Sequence, residues 1–144
     1  MKKSVKEKLR NLLEEQRFAV IATKSKNELY TNLVTFYAED NLKKIYFPTS
    51  KNTTKYKNLS AYSKISILID NRGNKPEDIK NAMAVTAVGL SRETKNLNVV
   101  KNFLKKHPYL KDFVNSNDCV MIEIELEKYI LVDNFQNVNV FSLK

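Results

Sequence analysis

Residues 45–59 read Ile45-Tyr46-Phe47-Pro48-Thr49-Ser50-Lys51-Asn52-Thr53-Thr54-Lys55-Tyr56-Lys57-Asn58-Leu59. Three β-prone apolar residues lead into a proline, a loop rich in hydroxyl and amide groups, and then a segment with no β alternation, which predicts a strand from Lys44 to Thr49 and a short helix from about Thr53 to Ser60. The first amides of such a helix lack carbonyl partners and carry the positive end of its dipole, so they favour an anion. Thr49, Ser50, Thr53 and Thr54 add hydroxyl donors, and Lys55 adds a full charge. The segment therefore suits a phosphate, and it equally suits an ordinary loop in which Asn52 or Thr53 caps the helix.

Strand patterns continue on both sides. Upstream, Phe18 to Thr23 is a short apolar run, and Lys24-Ser25-Lys26-Asn27 reads as a hairpin turn into a strand from Glu28 to Ala38. In that strand Leu29, Thr31, Leu33, Thr35 and Tyr37 alternate with Tyr30, Asn32, Val34 and Phe36; both faces are partly apolar, as inside a barrel or between two layers. Downstream, strands are expected at Ile65 to Asp70 and at Asn81 to Arg92, separated by the turn-rich loop Asn71 to Pro76. Gly89 interrupts the latter strand, where a bulge or close backbone contact is the expected reason. Val120, Ile122, Ile124 and Leu126 alternate with Met121, Glu123, Glu125 and Glu127, a strand with one dry and one wet face. Tyr129 to Val132 extends it, and Asn137 to Phe141 is expected to close the barrel.

Val5, Leu9, Leu12 and Leu13 recur at helical spacing, which predicts an amphipathic helix over residues 1–15 lying as a lid on the body. Leu97, Val100 and Leu104 predict another, ending near Lys106 because Pro108 disfavours helical geometry before it; a short helix over Tyr109 to Val114 follows. The fold expected is mainly β (α+β), a six- to seven-stranded antiparallel barrel with peripheral helices, as one domain over residues 1–144.

Composition narrows the function. The chain is 42% hydrophobic, enough for a folded core at 144 residues. One cysteine, Cys119, and one histidine, His107, exclude an intrachain disulfide and a four-ligand zinc site, so no metal site is expected and a cytoplasmic setting fits. No apolar run is long enough for a membrane span. The 25 basic against 16 acidic residues favour anionic partners. That excess is spread along the chain, as on a solvated surface, rather than gathered into a nucleic-acid motif. With two glycines there is neither a dinucleotide fingerprint nor a P-loop. His107, between two helices, reads as a helix-end or surface residue, Cys119 as a small buried hydrophobe, and the three alternating glutamates as a solvated edge. No catalytic acid or base can be named.

The runs Asn32-Leu33-Val34-Thr35-Phe36, Ile45-Tyr46-Phe47, Thr49 and Thr53 to Leu59, then Ile65 to Asp70, Ala84 to Gly89 and Phe103 to Pro108, resemble the FMN-binding split-barrel family related to pyridoxamine phosphate oxidase. The resemblance implies a homodimer with FMN between subunits. Its ring would lie against the backbone of Leu33, Val34 and Thr35, and its phosphate at Thr49, Ser50, Thr53, Thr54 and Lys55. It further implies a flavin-dependent oxidoreductase acting on a small substrate, with a reduced nicotinamide as possible donor. Pyridoxamine phosphate oxidases carry an Arg-Lys pair where this chain has Thr54-Lys55, an Arg near Thr31 and a C-terminal Arg-Leu-x-Pro, so the activity expected is not pyridoxamine phosphate oxidation itself. Two alternatives accompany this reading: a haem-binding split barrel with His107 as iron ligand, and a basic barrel that stacks single-stranded nucleic acid on its aromatic residues.

Overall fold

The computed structural model describes residues 4–143. The first helix, α1 (Val5–Glu15), is capped by the Ser4 side chain, which accepts from the Glu7 amide, and it buries Leu9, Leu12 and Leu13 in the main core. Burial of each leucine contributes about 1.5–3 kcal/mol, enough to seat the lid. Residues 1–3 of the expected helix lie outside the described residues.

Among the described residues eight antiparallel strands follow: β1 (Phe18–Lys24), β2 (Leu29–Thr35), β3 (Tyr37–Ala38), β4 (Lys44–Ser50), β5 (Lys64–Asp70), β6 (Ala84–Thr94), β7 (Cys119–Asp133) and β8 (Asn137–Ser142). They pair in the order β2-β1-β5-β6-β7-β4-β3, with β8 added to β7. The two ends of this path, β2 and β3, are separated in sequence by Phe36 alone. A sheet whose opposite edges are joined by one residue must roll up, and the chain forms the expected split barrel. Closure thus comes from the β2–β3 corner. The final strand, expected to close the barrel, instead extends the far half of β7, from Lys128↔Ser142 to Asp133↔Asn137.

Inward side chains of β1, β4, β5, β6 and β7, including Ile21, Phe47, Ile67, Val85 and Ile124, meet α1 in one core. Tyr129, whose burial pushes its phenol pKa well above the ordinary value, donates to the Leu42 carbonyl at 2.6 Å and so pins the β3–β4 turn. Helix α2 (Thr54–Ala61) places Leu59 against this core, and its Asn58 amide donates to the Thr23 hydroxyl at 3.1 Å. A four-residue helix, α3 (Asp78–Asn81), lies where only loop and strand were expected, and β6 accordingly begins at Ala84. Asp78 organises it by accepting from the Gly73 and Lys75 amides.

The remaining helices, α4 (Leu97–Lys106) and α5 (Lys111–Val114), flank a short 3-10 turn at Pro108–Leu110. Val99 and Phe103 of α4 cover Tyr46 and Met121 on the outer face of β4 and β7, making a second core. This corrects the expected wet face of β7. Glu123, directly opposite Tyr46 in the ladder, is buried rather than solvated, and its carboxylate is held by Arg92 and Lys44.

The bulge expected at Gly89 is present as a register shift between Val88 and Gly89 in the β6–β7 ladder. A Cβ at Gly89 would lie 2.3 Å from the Glu125 carbonyl oxygen, which is backbone and cannot swing away. Gly89→Ala is expected to lower unfolding stability by about 1–3 kcal/mol. The check is a urea titration: the midpoint falls while the m-value stays at that of the parent.

Candidate functional site

Strand β4 delivers the loop to α2 with Thr49 still facing inward, 1% exposed. Its hydroxyl lies 3.2 Å from that of Thr53. Thr53, in extended conformation, is the N-cap: its hydroxyl accepts from the Tyr56 amide at 3.3 Å and donates to the Ser50 carbonyl at 2.8 Å. The Ser50 hydroxyl accepts from the Asn52 amide. Thr49, Ser50 and Thr53 therefore form one hydrogen-bonded knot, and two of the hydroxyls assigned by resemblance to a phosphate are engaged in capping and in the barrel wall.

What this knot leaves open is specific. Thr54 is exposed, and the Thr54 and Lys55 amides have no partner among the described residues, as expected for the first turn of a helix. Lys55 is half-buried, has no hydrogen bond or ion pair among the described residues, and has its pKa lowered by desolvation. A half-buried ammonium without a counter-charge, beside free amides and the positive end of a helix, is a place for an anion. A phosphate or a carboxylate fits these residues equally.

Leu33, Val34 and Thr35 lie in the β2 edge, paired to Val20, Ala19 and Phe18. Val34 points into the core, but Leu33 is 69% exposed. The expectation that both faces of this strand are covered holds only on one side. Leu33 begins a row that crosses the outer sheet through Val20, Leu68, Thr86 and Ile130 to Val140, each opposite the next in the ladder. Val140 is 65% exposed and Phe18, in the neighbouring row, 54%. No element among the described residues covers this apolar band as α4 covers β4 and β7. The sequence shows two apolar faces in β2 but carries no signal for which of them stays bare.

His107 is the C-cap of α4, a helix-end residue as expected, but it is not on the surface: it is 0% exposed. Its Nε2 lies 2.8 Å from the Phe36 carbonyl oxygen, so Nε2 carries the proton, and the imidazole packs on Phe103. Nδ1 is buried with no hydrogen-bond partner. The residue is therefore a pin of the β2–β3 corner, closed to an iron atom, and the expected haem ligand is not available. Cys119 is half-buried, with its thiol pKa pushed up by desolvation. No group of three or more His, Cys, Asp and Glu among the described residues could hold a metal. Tyr46, Tyr129, Phe36, Phe47 and Phe103 are core residues rather than stacking platforms. None of the described helices is long and apolar enough to cross a membrane.

The family described as Pyridoxamine 5'-phosphate oxidase matches residues 5–132. The chain belongs to this family. The fold is similar to that of a haem binding protein from Mycobacterium smegmatis, with TM-score 0.87 at 14% identity, covering 99% of this chain and 59% of that one. It is similar to HutZ, the haem storage protein from Vibrio cholerae (TM-score 0.75, 10% identity, 97% and 95% covered). It is also similar to a putative pyridoxamine 5'-phosphate oxidase from Listeria innocua (TM-score 0.73, 16% identity, 90% and 99% covered). No curated protein sequence matches. These identities establish a shared split-barrel fold, and the chain spans about three-fifths of the length of the mycobacterial protein.

Burial lowers the His107 pKa below its ordinary value, outweighing the bond to Phe36. Its contribution to stability is then complete above the unfolded-state value of about 6.5 and is lost as pH falls below it. Chemical denaturation at pH 7.5 and pH 5.5 is expected to show the parent losing more stability on acidification than His107→Phe, which has nothing to protonate there. The variant is less stable at pH 7.5 by about 1 kcal/mol for the lost hydrogen bond.

Proposed function

We propose that this chain binds a planar redox cofactor bearing an acidic group, and serves oxidation–reduction or cofactor handling through it. The observation that carries this reading is Lys55, a half-buried cation without a counter-charge among the described residues, at the free amides that begin α2. Membership of the pyridoxamine 5'-phosphate oxidase family supports oxidoreductase chemistry in general. A bound flavin or haem would supply the electron transfer itself, while the chain's part is to hold the acidic group and shield the ring.

Haem is placed first, ahead of the flavin that the sequence resemblance put first. Two proteins of closely similar fold are described by their ability to bind or store it, the propionates suit Lys55, and a porphyrin suits the apolar band of the sheet. The iron ligand is not His107, which is sealed in the β2–β3 corner. FMN is the second reading. It is favoured by the family match and by a cradle of free amides, the exposed Thr54 and Lys55 that fits a phosphate as well as a propionate. With FMN the reaction would pass a hydride or electrons from a reduced nicotinamide to a small substrate.

The spectrum of the protein as purified, repeated after addition of haem or FMN and desalting, decides between them. A Soret band retained at one haem per chain supports the first reading, and retained flavin bands the second. If neither ligand is kept, the cofactor reading fails. For the ligand that is kept, Lys55→Ala is expected to weaken binding about ten- to hundredfold, the worth of a charge-assisted hydrogen bond. Lys80→Ala, on the exposed face of α3, is expected to leave binding unchanged.

The partner proposed for the bare band is a second copy of the chain, which would complete the cofactor's surroundings by covering Leu33. Exposed contiguous apolar surface of this kind marks an interaction site, and a face repeated on two copies closes as a two-fold dimer. Sedimentation is expected to give a dimer for the parent and a monomer for Leu33→Glu/Leu68→Glu. A parent that sediments as a monomer at tens of micromolar removes this assembly.

A further inference from the structure

Away from α2, a cavity of about 470 Å³ opens between α1, the β3–β4 turn and α4. Lys106 lines it. The Lys106 side chain is part-buried, its Nζ donates to the Leu13 carbonyl at 3.0 Å, and it lies 4.1 Å from the centre of the Phe36 ring. An ammonium in water has three hydrogen-bonded donors; this one has a single protein acceptor, an aromatic face and the cavity. No carboxylate comes within ion-pair distance of it among the described residues.

We propose that Lys106 and this cavity form a second site, in which the lysine amine condenses with a small uncharged hydroxyaldehyde to form a Schiff base. The class of aldehyde follows from the lining. Besides Lys106 it holds three carboxylates, Glu14, Glu39 and Asp40, against the cations Arg10 and Lys105, so an anionic carbonyl compound gains nothing from the site. Hydroxyls would find Asn102 and Tyr37 at the wall.

The step balances without a redox partner. The Nζ lone pair forms the C–N bond as the carbonyl π pair moves to oxygen; a proton passes from nitrogen to that oxygen, and the carbinolamine then loses water to leave C=N. The amine must be unprotonated to begin. Burial, reinforced by Arg17 and opposed by Glu14, lowers the Lys106 pKa to about 8. At pH 7 about 10% of it is the free amine, against about 0.04% for a lysine at its ordinary value. Glu14 and Arg17 bracket the amine from α1 and from the approach to β1, with Lys105 beside it on α4 and Asp40 across the cavity.

The test treats the intact protein with glycolaldehyde and cyanoborohydride, which fixes the imine as a secondary amine, and maps labelled lysines by peptide mass spectrometry. Lys106 is expected to label at least tenfold faster than the average lysine at pH 7, an advantage over the other lysines in the same sample that shrinks as pH is raised to 9. Glyoxylate, the anionic comparison, is expected to label Lys106 more slowly than glycolaldehyde does. Lys106→Arg removes this label and leaves the rest. Labelling spread evenly over the lysines at pH 7, or a Lys106 advantage that does not shrink between pH 7 and pH 9, overturns the site; equal rates for glyoxylate overturn its assignment to an uncharged aldehyde.

Discussion

The barrel depends on one residue in the corner between its two edges. Phe36 joins β2 to β3, and three of its groups are held from three directions: its amide donates to the Arg17 carbonyl, its carbonyl accepts from His107, and its ring is buried in the main core with Lys106 above it. Strand pairing alone would leave an open sheet with two bare edges, each a row of unpaired backbone groups. Fixing Phe36 turns those edges toward each other. The unpaired His107 Nδ1 is the cost: a buried acceptor with no donor loses its water without replacement, on the order of 1–3 kcal/mol. Packing against Phe103 and Tyr109 holds the imidazole where that cost cannot relax.

Rolling the sheet gives it an outer face, and this face has two fates. Over β4 and β7 it is covered by α4, so Tyr46 and Met121 become a second core, and Glu123 beside them is retained only because Arg92 and Lys44 neutralise it. A carboxylate left there without its partners would cost several kcal/mol. Over β2, β1, β5 and β8 no helix among the described residues covers the outer face, and Leu33, Leu68 and Val140 remain in solvent. Both regions have the alternation of a half-buried strand. Whether the outward set is core or bare surface is decided by the path of α4, 40 or more residues distant in sequence from β4.

This explains what was legible in the chain and what was not. Signals that act within one turn or one strand pair were readable: the spacing of Leu9, Leu12 and Leu13, a helix cap at Asn52 or Thr53, the bulge at Gly89 and the α4 end before Pro108. Each depends on residues at most a few positions apart, or on the one residue type that fits a close approach. Burial of Glu123 and His107 was not readable, because a polar residue in a periodic segment reads as solvated until its partners, Arg92 or the Phe36 carbonyl, are brought from elsewhere. The β2–β3 break at Phe36 was hidden for the same reason: the alternation runs on through it from Leu29 to Ala38, and only the rolled sheet separates the two strands. The role of β8 was misjudged because alternation gives a strand its faces but not its neighbour.

The candidate site combines a rigid part with an unsatisfied one. The hydroxyl knot of Thr49, Ser50 and Thr53 is complete without a ligand, so the loop does not have to be ordered when an anion arrives. Little binding free energy is then spent on conformational entropy. Lys55 is the opposite case: its desolvation is a cost of the ligand-free fold, expressed as its lowered pKa, and an anion beside it would remove that cost. A group that is strained in the free protein and relieved in the bound one makes ligand binding and folding stability rise together. In the proposed reading, the acidic end of a cofactor is the part that Lys55 would hold. On the same reading the ring would find its surface on the apolar band that begins at Leu33.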